Sequence, residues 1–182
     1  MYKFTLALVL ILASFLSPAS PTFGAALGSE FLINRGVTKN NMAIVPNHLI
    51  GIELSPMPPG MPTGSDVIHL EVDVHATAGN PWGFPEKAWI PYLSIVYLLE
   101  KDGSDWRAEG VMHPMTADGG PHYADSLRMD GSGSYRLTYR LSPPRVNGFL
   151  RHVDNATGVP EWWDPFEERF NFTYPIATPV SG

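Results

Sequence analysis

The sequence predicts an all-β protein, an immunoglobulin-like (cupredoxin-like) antiparallel β-sandwich of about seven strands. Gly and Pro are frequent, with 17 and 18 residues among 182, whereas charged residues make up only 16%. Short apolar, aromatic and β-branched runs recur between turn signals, as in sandwiches. No segment combines helical periodicity with clear caps. These observations together favour many short strands over a helical bundle.

The strands are predicted from alternating or β-branched runs and from the turns that separate them. Residues 27–42 lack periodicity and are expected to form a loose lead-in. The first strand should stop before the proline-rich stretch 55–62, because proline has no amide to donate to a ladder. No repeat or linker divides the chain, so residues 26–182 are expected to form a single domain. The predicted strands are residues 43–54, 66–76, 89–100, 105–112, 123–129, 133–141 and 166–174.

The N-terminal segment has the pattern of a cleavable signal peptide. Lys3 precedes an apolar run at residues 4–16, and small residues follow. We therefore expect residues 1–25 to be removed, with cleavage near Ala25 or Ala26, and the mature protein to be exported. A retained membrane anchor is the alternative, but the run is shorter than the ~20 residues that a spanning helix needs.

Charge and composition narrow the function classes. The formal net charge of −6 makes a nucleic-acid partner unfavourable and is compatible with attraction to cations. The chain has no cysteine, so it forms no disulfide. Any bound metal must therefore be held by His, Met, Asp or Glu side chains.

The segment HLEVDVHA at residues 69–76 alternates strictly between polar and apolar residues. On an extended strand, its three aliphatic side chains point to one face, and two imidazoles and two carboxylates point to the other. Such a polar row is costly to bury and is a natural beginning for a metal site. The residues of the polar row are His69, Glu71, Asp73 and His75.

Further candidate ligands lie in two later segments. Met115 and His122 flank a Gly-rich stretch that can fold back and bring them together, and His152 lies in another loop. A thioether combined with imidazoles suits copper in either oxidation state, whereas ferrous iron or manganese would depend more on Glu71 and Asp73. A single histidine is more often a surface residue, and a methionine more often fills a core. Their joint occurrence in an exported, cysteine-free chain favours the metal site.

Several segments, in order along nearly the whole mature chain, resemble one known family. They are PMPPGMP (56–62), HLEVDVHA (69–76), GNPWGF (79–84), WIPYL (89–93), MTADGGPHY (115–123), GF (148–149), RHVD (151–154), TGV (157–159) and WDPF (163–166). This pattern resembles the bacterial periplasmic iron-transport accessory proteins, which bind copper and act beside iron permeases.

The resemblance implies an immunoglobulin-like sandwich that forms a homodimer, with a copper site near the dimer contact. It also implies the ligands, which are Met115, His122, His152 and His69, with Glu71 as the nearby glutamate. His113, beside the ligand methionine, departs from the family pattern and is a candidate competing ligand.

We therefore expect a periplasmic protein that assists high-affinity iron uptake with an inner-membrane iron permease. It would bind copper, with iron or manganese as alternatives. No catalytic residue is assigned, although a Met/His site also allows a redox role toward iron. Asp73, His75, Met57 and Met61 are candidates for a weaker secondary site. The rival functions are an adhesion or assembly module with an incidental metal and, less favoured, a hydrolase using Glu71 and Asp73.

Overall fold

The computed structural model describes residues 29–177, which form two antiparallel sheets packed face to face. The predicted all-β antiparallel sandwich is confirmed. The described residues contain one short 3-10 helix, Pro144–Asn147, and no α-helix. The strands are β1 Glu30–Leu32, β2 Val37–Lys39, β3 Met42–Ile50, β4 Val67–Ala76, β5 Ser94–Lys101, β6 Arg107–Val111, β7 His113–Ala117, β8 Gly120–Arg128, β9 Gly133–Ser142 and β10 Phe166–Tyr174.

The first sheet has the order β1-β3-β4-β8-β7, with β2 paired to β3, and the second has the order β10-β9-β5-β6. Strand β4 is central in the first sheet, where it pairs with β3 on one side and β8 on the other. The chain changes sheets between β6 and β7, so Met112 lies at the crossing and is buried in the core.

The core lies between the sheets and follows the predicted alternation. Leu70, Val72 and Val74 on β4 are fully buried. From the opposite sheet, the buried Tyr139 reaches across the core and donates a hydrogen bond from its hydroxyl to the carbonyl oxygen of Glu71, at 3.1 Å. This bond ties the second sheet directly to the backbone of β4.

A second polar contact joins the sheets near β6. The Tyr97 hydroxyl donates to Asp125 Oδ2 at 2.9 Å. Gly110 lies beside this pair, and a Cβ at that position would lie only 2.7 Å from the Tyr97 hydroxyl. The missing side chain of Gly110 therefore makes room for the contact.

The structure has ten strands where the sequence pattern indicated about seven. Residues 27–42 are not simply a loose lead-in, because β1 and β2 lie within them. Each of these strands has only three residues, too few for an alternating pattern to be recognised. The stretch read as a Gly-rich loop before residue 123 is instead the β7–β8 hairpin.

Two predicted strand bounds also shift. The strand expected at 43–54 ends at Ile50, and Gly51 follows with a φ of 69°, a backbone conformation that glycine adopts readily. The strand expected at 89–100 begins at Ser94. Before it, Trp89 forms an isolated bridge with His75.

The predicted signal peptide, residues 1–25, lies outside the described residues. Within residues 29–177, the structure contains no helix with the length and apolar character needed to cross a membrane.

Candidate metal centre

The candidate centre lies on the outer face of the first sheet, on the side of β4 opposite the core. His69 and Glu71 point to this face, since the residues between and after them are the buried core side chains of β4. Both are nevertheless buried themselves, and Glu71 is only 9% exposed. The polar row predicted from the alternation is therefore present, and its first half is removed from solvent.

The neighbouring hairpin brings two further candidates to the same face. In the β4–β8 pairing Glu71 is opposite Ala124, so His122, two residues before Ala124, also points to the outer face. In the β7–β8 pairing Met115 is directly opposite His122. Directly opposed residues project from the same side of a sheet. The hairpin thus places the thioether of Met115 beside the imidazole of His122.

Three side chains form a compact group of donor atoms. His69, Glu71 and His122 each offer one ligand atom, and these atoms all lie within 4.8 Å of one another. His122 Nε2 lies 3.7 Å from Glu71 Oε2, and the two imidazole rings meet edge to face with centroids 6.1 Å apart. All three residues are buried.

Both imidazoles make a hydrogen bond through Nδ1, and the partner of His122 fixes its tautomer. His122 Nδ1 lies 3.2 Å from the carbonyl oxygen of Gly120, which can only accept, so Nδ1 carries the proton and Nε2 the lone pair. His69 Nδ1 lies 3.1 Å from Ser126 Oγ. Ligating histidines commonly use the second ring nitrogen in this way to fix their orientation.

Burial keeps the group neutral. Desolvation lowers the pKa of His69 to about 4, with a further lowering by His122, and desolvation also lowers the pKa of His122. Desolvation first, and then the charges of Asp73 and Glu30, raise the pKa of Glu71 to about 8. At neutral pH the imidazoles are therefore unprotonated and ready to coordinate, while the Glu71 carboxyl holds a proton that a cation would displace.

Two residues that the sequence pattern did not identify support the group. Asn47 on β3 is opposite Glu71 and donates from Nδ2 to Asp73 Oδ2 at 3.2 Å, while its Oδ1 is buried without a hydrogen-bond partner. Ser126 is opposite His69 on β8. Neither residue stands out along the chain, since only the strand register shows that they lie opposite the candidate ligands.

The segment after β3 covers His69. A small cavity of about 60 Å³ is lined by His69, Ser126 and Met57, among others. Met57 itself is 41% exposed. The structure therefore places one of the proposed secondary-site methionines next to a principal candidate ligand, whereas Asp73 and His75 are half-buried farther along β4.

The remaining candidates lie apart from the group. His152 is on the loop after the 3-10 helix, with its side chain 75% exposed, and it is not part of the three-residue group within residues 29–177. His113 is exposed on β7 and is not part of the group either. His48 points into the core, where it stacks on Phe31, and desolvation lowers its pKa to about 4.

The donor set fits copper. Two neutral imidazoles oriented through Nδ1, a neighbouring thioether and a carboxyl that can give up its proton to a cation are ligands that Cu(I) and Cu(II) accept. The Glu71 carboxyl and the adjacent Asp73 also offer oxygen atoms, which are hard ligands suited to iron or manganese.

Comparisons with known proteins agree with this chemistry. Among solved structures, the chain is similar to a copper-bound variant of FetP from uropathogenic Escherichia coli strain F11, with 39% identity and a TM-score of 0.77, over 80% of this chain and 97% of that one. It is also similar to copper-reconstituted P19 from Campylobacter jejuni, with 39% identity and a TM-score of 0.76, over 85% and 100%. Another similar FetP structure came from protein expressed in the periplasm of E. coli.

Among sequence relatives, a UPF0423 protein of Brucella abortus (strain 2308) is 36% identical over 152 residues, which cover 82% of this chain and 84% of that protein. The 34 kDa membrane antigen of Treponema pallidum (strain Nichols) is 30% identical over 162 residues, which cover 82% and 79%. The family model described as Fe2+ transport protein matches residues 27–175. The chain belongs to this Fe2+ transport protein family, as the resemblance predicted.

Proposed function

We propose that this chain is an exported, periplasmic metal-binding protein that assists high-affinity iron uptake and holds copper on the outer face of its first sheet. The observation that carries the proposal is the buried group of His69, Glu71 and His122, whose donor atoms lie within 4.8 Å of one another. The opposition of Met115 to His122 adds a soft ligand to it. Copper binding in FetP and P19 supports the same metal here.

His152 completes the proposed ligand set from a second copy of the chain. Its side chain is exposed and lies outside the group formed within one chain. It is flanked by exposed apolar residues, Leu150 at 87% and Val153 at 73%. Exposed apolar side chains around a polar residue are typical of a surface that another protein covers. We therefore propose a homodimer in which the His152 loop of each copy approaches the metal face of the other.

The family and the candidate ligands support the proposed role in transport. Glu71 and Asp73 lie next to the soft donors, so the same face offers oxygen ligands to iron or manganese as cargo. We propose that the protein acts beside an inner-membrane iron permease and reaches the periplasm through the signal peptide at residues 1–25. The mature domain then consists of residues 26–182.

Copper binding by single-residue variants tests the site. Purified protein is titrated with copper against a competing chelator. His69→Ala and His122→Ala should each lower the affinity by at least tenfold, because each removes one ligand. His113→Ala is the comparison: His113 lies outside the three-residue group, so this variant should bind copper like the wild type, and a loss of equal size would identify His113 as a competing ligand. Unchanged binding by both site variants would refute the proposal and leave an adhesion or assembly module with an incidental metal.

Mixed dimers test whether His152 crosses between copies. When His69→Ala chains are mixed with His152→Ala chains, a crossing ligand leaves one complete site in each mixed dimer. Half of the sites in the mixed dimers should then recover the wild-type copper affinity, whereas no site in the two kinds of unmixed dimer should. If all ligands came from one chain, every site would lack a ligand and no recovery would occur.

Growth under iron limitation tests the transport role. A strain without the gene should grow again when it is given the wild-type gene and should not when it is given the gene for His122→Ala.

A further inference from the structure

Two backbone hydrogen bonds close the exposed loop that carries His152. The amide of Gly158 donates to the carbonyl oxygen of Asp154 at 2.9 Å, and the amide of Val159 donates to that of His152 at 3.0 Å. These bonds bring the two ends of the loop together. A Cβ on Gly158 would lie 2.4 Å from the Asp154 oxygen, so the close approach depends on glycine.

The Asp154 side chain organises the middle of the loop. Its Oδ1 accepts hydrogen bonds from the amides of Ala156 and Thr157, at 3.0 and 2.9 Å. Its Oδ2 accepts the hydroxyl proton of Thr157 at 2.8 Å. The orientation of the Thr157 side chain is thereby fixed, and its only hydroxyl proton is committed to Asp154.

The orientation of the Thr157 hydroxyl determines which atom donates in its hydrogen bond with His152. Thr157 Oγ1 lies 2.7 Å from His152 Nδ1. Because the hydroxyl proton points to Asp154, the oxygen can only accept from the imidazole, and Nδ1 must carry the ring proton. The lone pair of neutral His152 is therefore on Nε2. The ring is held in one orientation although the side chain is largely exposed.

We infer that Thr157, itself oriented by Asp154, is a positioning residue that presents His152 Nε2 as a preformed metal ligand. The inference rests on the proposed function, in which His152 is a copper ligand. His122 shows the same arrangement through the Gly120 carbonyl, and His69 has a hydroxyl partner at Nδ1. All three histidines thus engage Nδ1 and leave Nε2 for a metal, although only two of them lie in the buried group.

The physical advantage concerns the entropy of binding. An exposed histidine normally samples several rotamers, and ordering it on binding costs free energy. The hydrogen bonds among Asp154, Thr157 and His152 order the imidazole when the loop folds, so this cost does not reduce the free energy of metal binding. Outer-shell partners of this kind contribute about 10–100-fold to metal affinity.

The test uses the full chain and copper alone as the probe, with the affinity measured by chelator competition. Thr157→Val keeps the shape of the side chain and removes the hydroxyl, so it should lower the copper affinity by about 10–100-fold. Thr157→Ser retains the hydroxyl and should restore binding to near the wild-type affinity. The Cu(II) electron paramagnetic resonance spectrum should also change in Thr157→Val, because one imidazole is no longer fixed, and should be normal in Thr157→Ser.

A double variant separates positioning from a general effect on the loop. In a His152→Ala background, Thr157→Val should have no further effect on copper affinity, because the residue it positions is gone. If the loss persisted in that background, or if Thr157→Val bound copper like the wild type while His152→Ala did not, the positioning role would be overturned and the ligand role of His152 would stand. If His152→Ala itself bound copper normally, the assignment of His152 as a ligand would fail as well.

Discussion

Met115 lies directly opposite His122 in the β7–β8 hairpin, and both side chains project from the outer face of the first sheet. A thioether and an imidazole are thereby held side by side by backbone hydrogen bonds rather than by a flexible loop. Their relative position depends on the register of one hairpin. Replacing Met115 therefore tests what the thioether contributes to copper affinity.

Met115→Leu should weaken Cu(I) binding on the order of tenfold and Cu(II) binding much less, because a thioether is a soft ligand that favours Cu(I). Leucine has a similar volume, so the fold should be retained. Competition with chromogenic Cu(I) and Cu(II) chelators measures both affinities. Met112→Leu is the control, since Met112 is buried in the core three residues earlier. Equal losses in the two variants would show that the methionine acts through packing alone.

The stability of the metal-free protein should fall as the pH rises above about 6.5. Desolvation raises the pKa of Glu71 from 4.5 to about 8, so its contribution to stability is complete below pH 4.5 and is lost as the pH rises through 8. Desolvation lowers the pKa values of His69 and His48 from 6.5 to about 4, so their contributions are complete above pH 6.5 and are lost as the pH falls through 4. Burial also raises the pKa of the neighbouring Asp73, which acts in the same direction, and above pH 6.5 Glu71 is expected to contribute most of the change.

Urea unfolding of metal-free protein at pH 6.5 and 8.5 measures this change. The wild type should lose on the order of 1 kcal/mol between the two values, after allowance for solvent screening. Glu71→Gln should show little of this loss, because glutamine does not ionise. A loss of equal size in both proteins would mean that other groups control the high-pH limb.

Gly110→Ala should destabilise the fold by about 1–3 kcal/mol, the usual range for an overpacked site. Its new Cβ would lie 2.7 Å from the Tyr97 hydroxyl and 2.8 Å from Asp125 Oδ2, so the hydrogen bond between the sheets would be displaced. Chemical denaturation measures the effect. Gly119→Ala is the matched control, because a Cβ there meets open space. Comparable stabilities of the two variants would show that the sandwich adjusts to the extra methyl group.

Tyr123→Phe should cost about 2 kcal/mol, because two buried backbone groups lose their partner. The Tyr123 hydroxyl donates to the carbonyl oxygen of Ile90 and accepts from the amide of Leu93, both at 2.9 Å. Tyr135→Phe provides the comparison, since the Tyr135 hydroxyl makes a single, part-buried hydrogen bond to Gly131. Thermal and urea unfolding should rank Tyr123→Phe as the less stable variant, and the reverse order would contradict the assignment.

The sequence pattern predicted the parts of the fold that depend on long periodic runs. Strand β4 is recognisable because seven alternating residues define both of its faces, and the resulting polar row contains His69 and Glu71. Strands β1 and β2 are too short for such a pattern, and they were predicted as a loose lead-in. The hairpin containing Met115 was predicted as a loop because Gly119 and Gly120 dominate its appearance.

The candidate site was predicted only in part from residue types, because its completion depends on strand pairing. Asn47 and Ser126 are ordinary polar residues until the register places them opposite Glu71 and His69. The ligand role of His152 stays a prediction, since that residue lies apart from the buried group within one chain. Its hydrogen bond to Thr157, by contrast, joins residues only five apart in the sequence and so does not depend on strand pairing.

Alternate side chains of strand β4 lie in two different environments, the apolar core and the outer face that carries the candidate metal centre. A slip of one residue against β3 or β8 would exchange the two sets, moving carboxylates and imidazoles into the apolar interior. Such a slip would bury polar groups at a large cost in free energy, so the register of β4 is strongly specified. Correct pairing of β4 therefore also fixes the face on which His69 and Glu71 lie, so that a folded chain presents both candidate ligands on the outer side of the first sheet.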